Sequence, residues 1–123
     1  MCIRDSAHIT SYPLVEDIRE CKLQLRKCDV VVAYKSMTLF SKVCYDLGIP
    51  FMPNFVSFFL PDSVRFWEVE LPSISLDVID YTLTCAIQAS EIVRFFEGKD
   101  VTIAPNAIIV KDGFIRKLRM KTL

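Results

Sequence analysis

The chain has 123 residues, 52% of them hydrophobic, which is enough for one domain around one core. Its 15 basic and 15 acidic side chains balance, which argues against nucleic acid or an anionic membrane as partner. Five cysteines without a Cys-x-x-Cys pair argue against a disulfide framework or a zinc knuckle, and we interpret them as reduced thiols of a cytoplasmic protein. No apolar run reaches the ~18 residues of a membrane-spanning helix.

The first six residues, MCIRDS, match the translation of the adapter used to tag sequencing libraries, and nothing in them caps or patterns an element. We therefore interpret residues 1–6 as a scar and exclude them from fold reasoning, with a natural start of the protein as the alternative interpretation. On this interpretation, residues 7–123 are the C-terminal part of a longer open reading frame.

Strands and helices alternate in the first half of the chain. Residues 7–12 predict a weak strand, and apolar side chains at intervals of three and four predict a helix over residues 14–28. The β-branched run 29–33 is typical of a strand covered on both faces. A second amphipathic helix ends at Gly48, and the short apolar segment 49–55 completes a predicted βαβ crossover with a parallel strand.

The next segments depart from this alternation. Residues 64–71 lie between two prolines and alternate in side-chain character, which predicts an edge strand or a hairpin arm in antiparallel pairing. Ser75 is the predicted N-cap of the longest helix, residues 76–97. Most apolar side chains of this helix fall on one broad surface, which we expect to lie on the sheet.

A tight hairpin closes the chain. Residues 107–110 and 114–118 are largely apolar and flank Asp112-Gly113, a pair typical of two-residue hairpin turns. The element order as a whole predicts an α/β fold, namely a partial doubly wound (Rossmann-like), mainly parallel sheet in three layers with a C-terminal antiparallel hairpin.

This order of elements resembles the C-terminal half of the ThiF/MoeB/HesA family, the adenylate-forming enzymes related to ubiquitin-activating enzymes. The resemblance covers nearly all of residues 7–123. Its most specific part is the long helix, where the family has a pattern like Ala-x-Glu-Ile-x-Lys, then Gly and a closing hairpin. In this chain the pattern falls on Ala89, Glu91, Ile92, Arg94 and Gly98.

The resemblance implies a parent enzyme that binds ATP and Mg²⁺ and adenylates the C-terminal carboxylate of a small ubiquitin-like or sulfur-carrier protein. The glycine-rich phosphate cradle would lie upstream of residue 7, and the three glycines here form no Gly-x-Gly cluster. Aligned on the strand, Ser36 stands where the family has a metal-binding carboxylate. Residues 57–75 hold no cysteine where many members carry catalytic or zinc-binding ones. We therefore expect no catalytic residue, metal ligand or cofactor of its own in this chain, and a homodimer as a further partner.

Four polar side chains are the candidate cofactor-binding residues. Lys35 and Ser36 follow the first parallel strand, and Asn54 and Ser57 follow the next. Because open α/β sheets bind ligands at the carboxyl ends of their strands, we expect these side chains to contact an anion such as the nucleotide. An ordinary exposed loop is the alternative interpretation.

Two other functions remain open. One is a pseudoenzyme or scaffold that docks a partner protein through the aromatic segment 55–67 without catalysis. The other is the distal half of a nicotinamide-dependent Rossmann enzyme. We predict no catalytic role for His8, the one histidine, because the sequence pattern does not identify a Cys or Ser as its catalytic partner.

Overall fold

The structure is a computed structural model that describes the backbone of residues 2–3, 9–10, 18–75 and 77–123, and side chains from residue 19 onward within those ranges. His8 lies outside the described residues. In chain order the elements are strands β1 (Cys2–Ile3) and β2 (Ile9–Thr10), helix α1 (Ile18–Leu25), strand β3 (Val30–Val32), helix α2 (Met37–Leu47), strand β4 (Phe51–Met52), a 3-10 helix (Phe66–Glu68), helix α3 (Val78–Phe96) and strands β5 (Asn106–Lys111) and β6 (Phe114–Arg119).

The main sheet has the strand order β2-β1-β3-β4. β3 and β4 are parallel, with Val31 opposite Phe51, and all three valines of β3 are buried as the sequence predicts. β1 is antiparallel to both of its neighbours, so one of the three pairings that the described strands make in this sheet is parallel. The fold is therefore mixed α/β with a small parallel unit and an antiparallel hairpin, and the sequence pattern of residues 1–6 does not predict the strand Cys2–Ile3.

Helix α2 ends where the sequence predicts. Gly48 adopts the left-handed conformation (φ 71°), and the N–H groups of Gly48 and Ile49 donate to the carbonyls of Tyr45 and Cys44 at 3.2 and 2.8 Å. The strand that follows is shorter than predicted because Pro53 has no N–H for the ladder and ends β4 after two residues. Phe51 exchanges two backbone hydrogen bonds with Phe59, of 3.0 and 2.7 Å, so the chain folds back against β4.

The predicted edge strand over residues 64–71 is wrong. Residues Phe66–Glu68 form a 3-10 helix instead, and the segment keeps one isolated antiparallel bridge, from Val69 to Thr122. The 3-10 helix places Phe66 in the core with its ring 5.8 Å from that of Phe51 and 5.4 Å from that of Phe59. The Arg65 guanidinium pairs with the Glu68 carboxylate at 2.8 Å across this short helix. The buried side chains of this segment are Phe66 and Val69, which lie three positions apart and so do not follow the every-second-residue spacing of a pleated strand.

Most aromatic side chains of the segment 55–67 lie in the core. Phe55, Phe58, Phe59 and Phe66 are at most 5% exposed, and Trp67 is half-buried. These phenyl rings are therefore not available as a docking surface, which corrects that part of the scaffold hypothesis.

Cysteines differ in their state. Cys28 takes part in a disulfide, so the interpretation of all five cysteines as reduced thiols is wrong for this residue. Cys21, Cys44 and Cys85 are free. Burial, and to a smaller extent the neighbouring Cys21, raises the pKa of Cys44 to about 12, so this thiol is unreactive at neutral pH.

Helix α3 and the hairpin complete the fold. Asp77, not Ser75, is the N-cap of α3, and its carboxylate accepts the Ile79 N–H at 2.9 Å. Ile92 packs with Val30, Val32, Met52 and Phe58, so α3 is docked on the sheet. The prediction that its broad apolar surface faces the sheet is wrong, because Ile79, Val93 and most other apolar residues of that surface are exposed and the buried face is largely polar. The hairpin β5–β6 is confirmed with a two-residue turn, in which both Asp112 and Gly113 have positive φ.

Candidate functional site

Polar side chains line the carboxyl ends of the two parallel strands. Tyr34, Lys35 and Ser36 follow β3, while Asn54 follows β4 after Pro53. Because β3 and β4 are neighbours in a parallel pair, their ends lie at the same edge of the sheet. We call this edge the polar rim.

The backbone at Ser36 is unusual. This residue has φ 50° and ψ 40°, a left-handed conformation that is uncommon for residues other than glycine, and it is the N-cap of α2 without a side-chain capping bond. Its carbonyl accepts the Phe40 N–H at 3.1 Å, so the helix begins at once. Lys35 and Ser36 are both exposed to solvent on this turn.

One side chain from α3 joins both strand ends. Gln88 is 4% exposed, and its Nε2 donates to the carbonyls of Pro53 at 2.7 Å and Phe55 at 3.1 Å. Its Oε1 accepts a hydrogen bond from the Tyr34 hydroxyl. The amide thus satisfies the backbone after β4 and holds the tyrosine after β3 in place.

A thiol and a second phenol complete this network. The Tyr34 oxygen lies 3.1 Å from Cys85 Sγ, and the Tyr34 ring meets the Tyr81 ring edge-on with centroids 5.4 Å apart. Burial raises the pKa of Tyr34, and its contact with Cys85 raises it further. The pKa of Tyr81 is also raised, first by loss of solvent and then by Cys85. Both phenols therefore stay protonated at neutral pH and act as neutral hydrogen-bonding groups.

The four residues predicted from sequence differ in their placement. Lys35 and Ser36 are exposed in the loop after β3, and Asn54 is half-buried in the loop after β4. Ser57 is fully buried, and its hydroxyl donates to the Asn106 carbonyl at 2.7 Å. That hydrogen bond joins the segment after β4 to strand β5, so the Ser57 side chain lies in the core and not on the polar rim.

The side chains that sequence reasoning missed lie on α3. Asp80, Thr84 and Gln88 recur every four residues, and all three are buried. Asp80 accepts the N–H groups of Gly113 at 2.8 Å and Asp112 at 3.0 Å, so it holds the hairpin turn. The four-residue spacing of these polar side chains marks the inner face of α3, and this spacing could have predicted them from the sequence. The more numerous apolar residues of the same helix suggested a different inner face.

Chemically, the polar rim suits an anion. It offers the Lys35 ammonium, the Ser36 hydroxyl and the Asn54 amide, all of which can hydrogen-bond to phosphate oxygens. Ser36 supplies no carboxylate, and among the described residues no group of three or more His, Cys, Asp or Glu side chains could hold a metal. The residues therefore fit a phosphate contact but do not fit a magnesium ion.

Comparisons with known proteins leave the family open. No protein-family model, no curated protein and no solved structure matches the chain. None of the helices in the described part of the chain combines the length and the hydropathy that crossing a membrane requires.

Proposed function

We propose that residues 7–123 are the C-terminal part of a cytoplasmic ThiF-type domain. Its parent would bind ATP and adenylate the C-terminal carboxylate of a small ubiquitin-like or sulfur-carrier protein. The observation that carries this proposal is the parallel pair β3 and β4, connected through α2, with a polar rim at its carboxyl ends and α3 behind it. The three-layer, doubly wound arrangement is part of the same proposal.

Each residue of the polar rim has a limited role in this proposal. Lys35 contacts a phosphate as a point charge, and Ser36 and Asn54 add neutral hydrogen bonds. The loops after β3 and β4 carry these three residues, and the hydrogen bonds of Gln88 to Tyr34 and to the Pro53 carbonyl hold the two loops in position. No metal ligand comes from this rim, and the isolated chain is expected to be inactive.

The test is ATP–pyrophosphate exchange by the parent, in which the upstream reading frame is joined to residues 7–123. Wild-type exchange should depend on the carrier protein, and Lys35→Ala should raise the KM for ATP by about tenfold, the effect of one lost phosphate contact of ~1.4 kcal/mol. Lys27→Ala, which removes an exposed lysine after α1, is the matched control and should leave KM unchanged. A parent that shows no exchange with any carrier would refute adenylation.

A second candidate is a pseudoenzyme that binds a nucleotide or a partner protein without catalysis. Ser36 favours it, because a hydroxyl at the position of the family's metal-binding carboxylate is a poor ligand for magnesium. Nucleotide binding by the parent, measured by calorimetry, together with absent exchange would support this candidate over the enzyme.

A further inference from the structure

Strand β6 is an open edge of the sheet structure. Isolated bridges join β4 to the segment that follows it, between Phe51 and Phe59, and join that segment to β5, between Val56 and Ile108. β6 pairs with β5 along its whole length, and in the described part of the chain no strand pairs with its other side. β6 therefore ends the row of strands on the side away from β3.

Alternate residues of β6 direct their backbone groups toward this open side. Ile108 of β5 exchanges its backbone hydrogen bonds with Val56, at 2.8 and 3.1 Å, so its N–H and C=O point away from β6. Its ladder partner Lys117 is therefore in a non-hydrogen-bonded pair, and the N–H and C=O of Lys117 point away from β5. Because such pairs alternate along an antiparallel ladder, the same holds for Ile115 and Arg119. No backbone hydrogen bond from another described residue reaches these groups.

The open edge is strongly basic. Residues 114–121 carry four cations and no anion, in a chain whose basic and acidic side chains balance. The cations are Arg116, Lys117, Arg119 and Lys121, all of them exposed. None of them takes part in the ion pairs formed among the described residues. Unpaired backbone groups beside cations without counter-charges suit an acidic chain in extended conformation.

The protein itself contains one short pairing of this kind. The N–H of Met120 donates to the Pro105 carbonyl at 2.8 Å on the β5 side, which leaves Lys121 facing the open side. The Lys121 carbonyl accepts the N–H of Glu70 at 2.7 Å, within an antiparallel bridge made by the segment 68–70, Glu-Val-Glu. An acidic segment is thus already held against the end of the basic edge, and the unpaired part of β6 lies next to it.

We propose that residues 115–119 of β6 bind an acidic peptide segment of a partner protein, which adds to the sheet as an antiparallel strand. The proposal is independent of the proposed function, since it uses no residue of the polar rim. The segment exchanges backbone hydrogen bonds with Ile115, Lys117 and Arg119. Its side chains opposite the two cations are carboxylates, and the one opposite Ile115, which is 58% exposed, is apolar. From its N-terminus the segment is therefore acidic-x-acidic-x-apolar.

The same charges disfavour a second copy of the chain as the occupant. Two β6 strands that paired about a two-fold axis at Lys117 would set this ammonium directly opposite its own copy. Like charges directly opposite each other destabilise an antiparallel pair, and lysine on an edge strand opposes edge-to-edge association. Carboxylates at the facing positions replace this repulsion by attraction.

Calorimetry of the full chain with a synthetic peptide tests the binding. The probe is a capped peptide with the core Glu-Thr-Glu-Thr-Ile, which should bind the wild type and bind it more weakly as salt is added. Lys117→Glu should raise the Kd about tenfold, or ~1.4 kcal/mol, because it turns a cross-strand attraction into a repulsion. Lys27→Glu, the same charge change on an exposed lysine after α1, is the matched control and should leave the Kd unchanged within about twofold.

Three results of this experiment would overturn the proposal. They are no binding of the acidic peptide to the wild type, equal effects of the two substitutions, and equally tight binding of an oligodeoxythymidylate with the same charge. The last result would identify the edge as a general polyanion site. Circular dichroism verifies that both variants are folded, and a peptide with lysines in place of the glutamates should not bind.

Methylated peptides test whether the segment binds as a strand. Methyl groups on the two glutamate nitrogens remove the donors that face β6, so the Kd should rise at least tenfold, whereas methyl groups on the two threonine nitrogens point away from β6 and should leave it unchanged. In NMR spectra the amides of Ile115, Lys117 and Arg119 should shift most on binding of the unmodified peptide. Equal binding of the two methylated peptides would mean that charge alone holds the segment and would refute strand addition.

Discussion

A single amide at Gln88 holds three parts of the chain together. Gln88→Leu keeps the volume of the side chain but removes the amide donor of two buried carbonyls, those of Pro53 and Phe55, and leaves the Tyr34 hydroxyl with Cys85 Sγ alone of its two partners. Because each buried group left unsatisfied costs ~1–3 kcal/mol, we expect the free energy of unfolding to fall by about 2–4 kcal/mol. Urea denaturation measures it.

Gln24→Leu is the matched control for this change. Gln24 is half-buried on α1, and its side chain donates a long hydrogen bond of 3.5 Å to exposed Glu20, so the expected loss is below about 0.5 kcal/mol. Equal effects of the two substitutions would show that the network around Tyr34 contributes nothing to stability.

The Asp80 carboxylate gives the fold a defined response to acid. Hydrogen bonds from the Ser75 hydroxyl, then from the N–H groups of Gly113 and Asp112, lower the pKa of Asp80 in the folded chain. A lowered folded pKa means that this contribution is complete above the unfolded pKa, near ~4, and is lost as pH falls through the folded value. We therefore expect unfolding free energy to decline below about pH 4, and Asp80→Asn to flatten that decline.

Thermal unfolding at a series of pH values measures this slope. Asp62→Asn is the control, since Asp62 lies exposed in the loop after Leu60, and it should leave the slope unchanged. A slope that is identical in wild type and Asp80→Asn would show that the hairpin turn does not depend on the ionised carboxylate.

At the scale of elements, each end of α2 has a residue in the left-handed conformation, which glycine adopts without strain and serine does not. Gly48 (φ 71°) suits its position, and a Cβ there would meet no atom within 4 Å, so Gly48→Ala should cost only the conformational ~1–2 kcal/mol. Ser36 (φ 50°) is strained without a capping bond, so Ser36→Gly should raise stability by about 0.5–1 kcal/mol. Chemical denaturation checks both signs, and a destabilising Ser36→Gly would show that the hydroxyl has a structural partner.

Elements with local signals could be predicted from the sequence. The β-branched run fixes β3, Gly48 ends α2, and Asp112-Gly113 sets the hairpin turn. Elements that depend on distant partners could not be predicted. The strand Cys2–Ile3 exists through its pairing with β3, and Phe66 turns its segment into a 3-10 helix because its ring fits between two others.

Some residues of the candidate site could likewise be predicted from the sequence, and others could not. Lys35, Ser36 and Asn54 could be placed at strand ends because the position follows from the chain order alone. Gln88 could not be assigned, since a glutamine among apolar helix residues reads as solvent-facing until the carbonyls of Pro53 and Phe55 are seen to lie against it. Local pattern thus locates the rim, and only tertiary contact identifies the side chains that hold it.

At the scale of the whole molecule, we expect strand β6 to open at a lower free energy than the buried parallel pair β3 and β4. The amides of Val31 and Ala33 donate to Pro50 and Met52 inside the buried parallel pair, at 3.0 and 3.1 Å. The outer strand of the hairpin, β6, has mostly exposed side chains. Segments with few buried contacts open without global unfolding. We therefore expect β6 amides to exchange at least tenfold faster than those of Val31 and Ala33, a difference of ~1.4 kcal/mol.

Hydrogen exchange followed by NMR measures these rates residue by residue, and Asp80→Asn separates the two units. Loss of the contacts to Asp112 and Gly113 should accelerate exchange in β5 and β6 while the amides of Val31 and Ala33 respond only as far as global stability falls. Uniform acceleration of both groups would mean that the hairpin opens only when the whole molecule does. Selective acceleration would identify Asp80 as the contact through which the hairpin is held to helix α3.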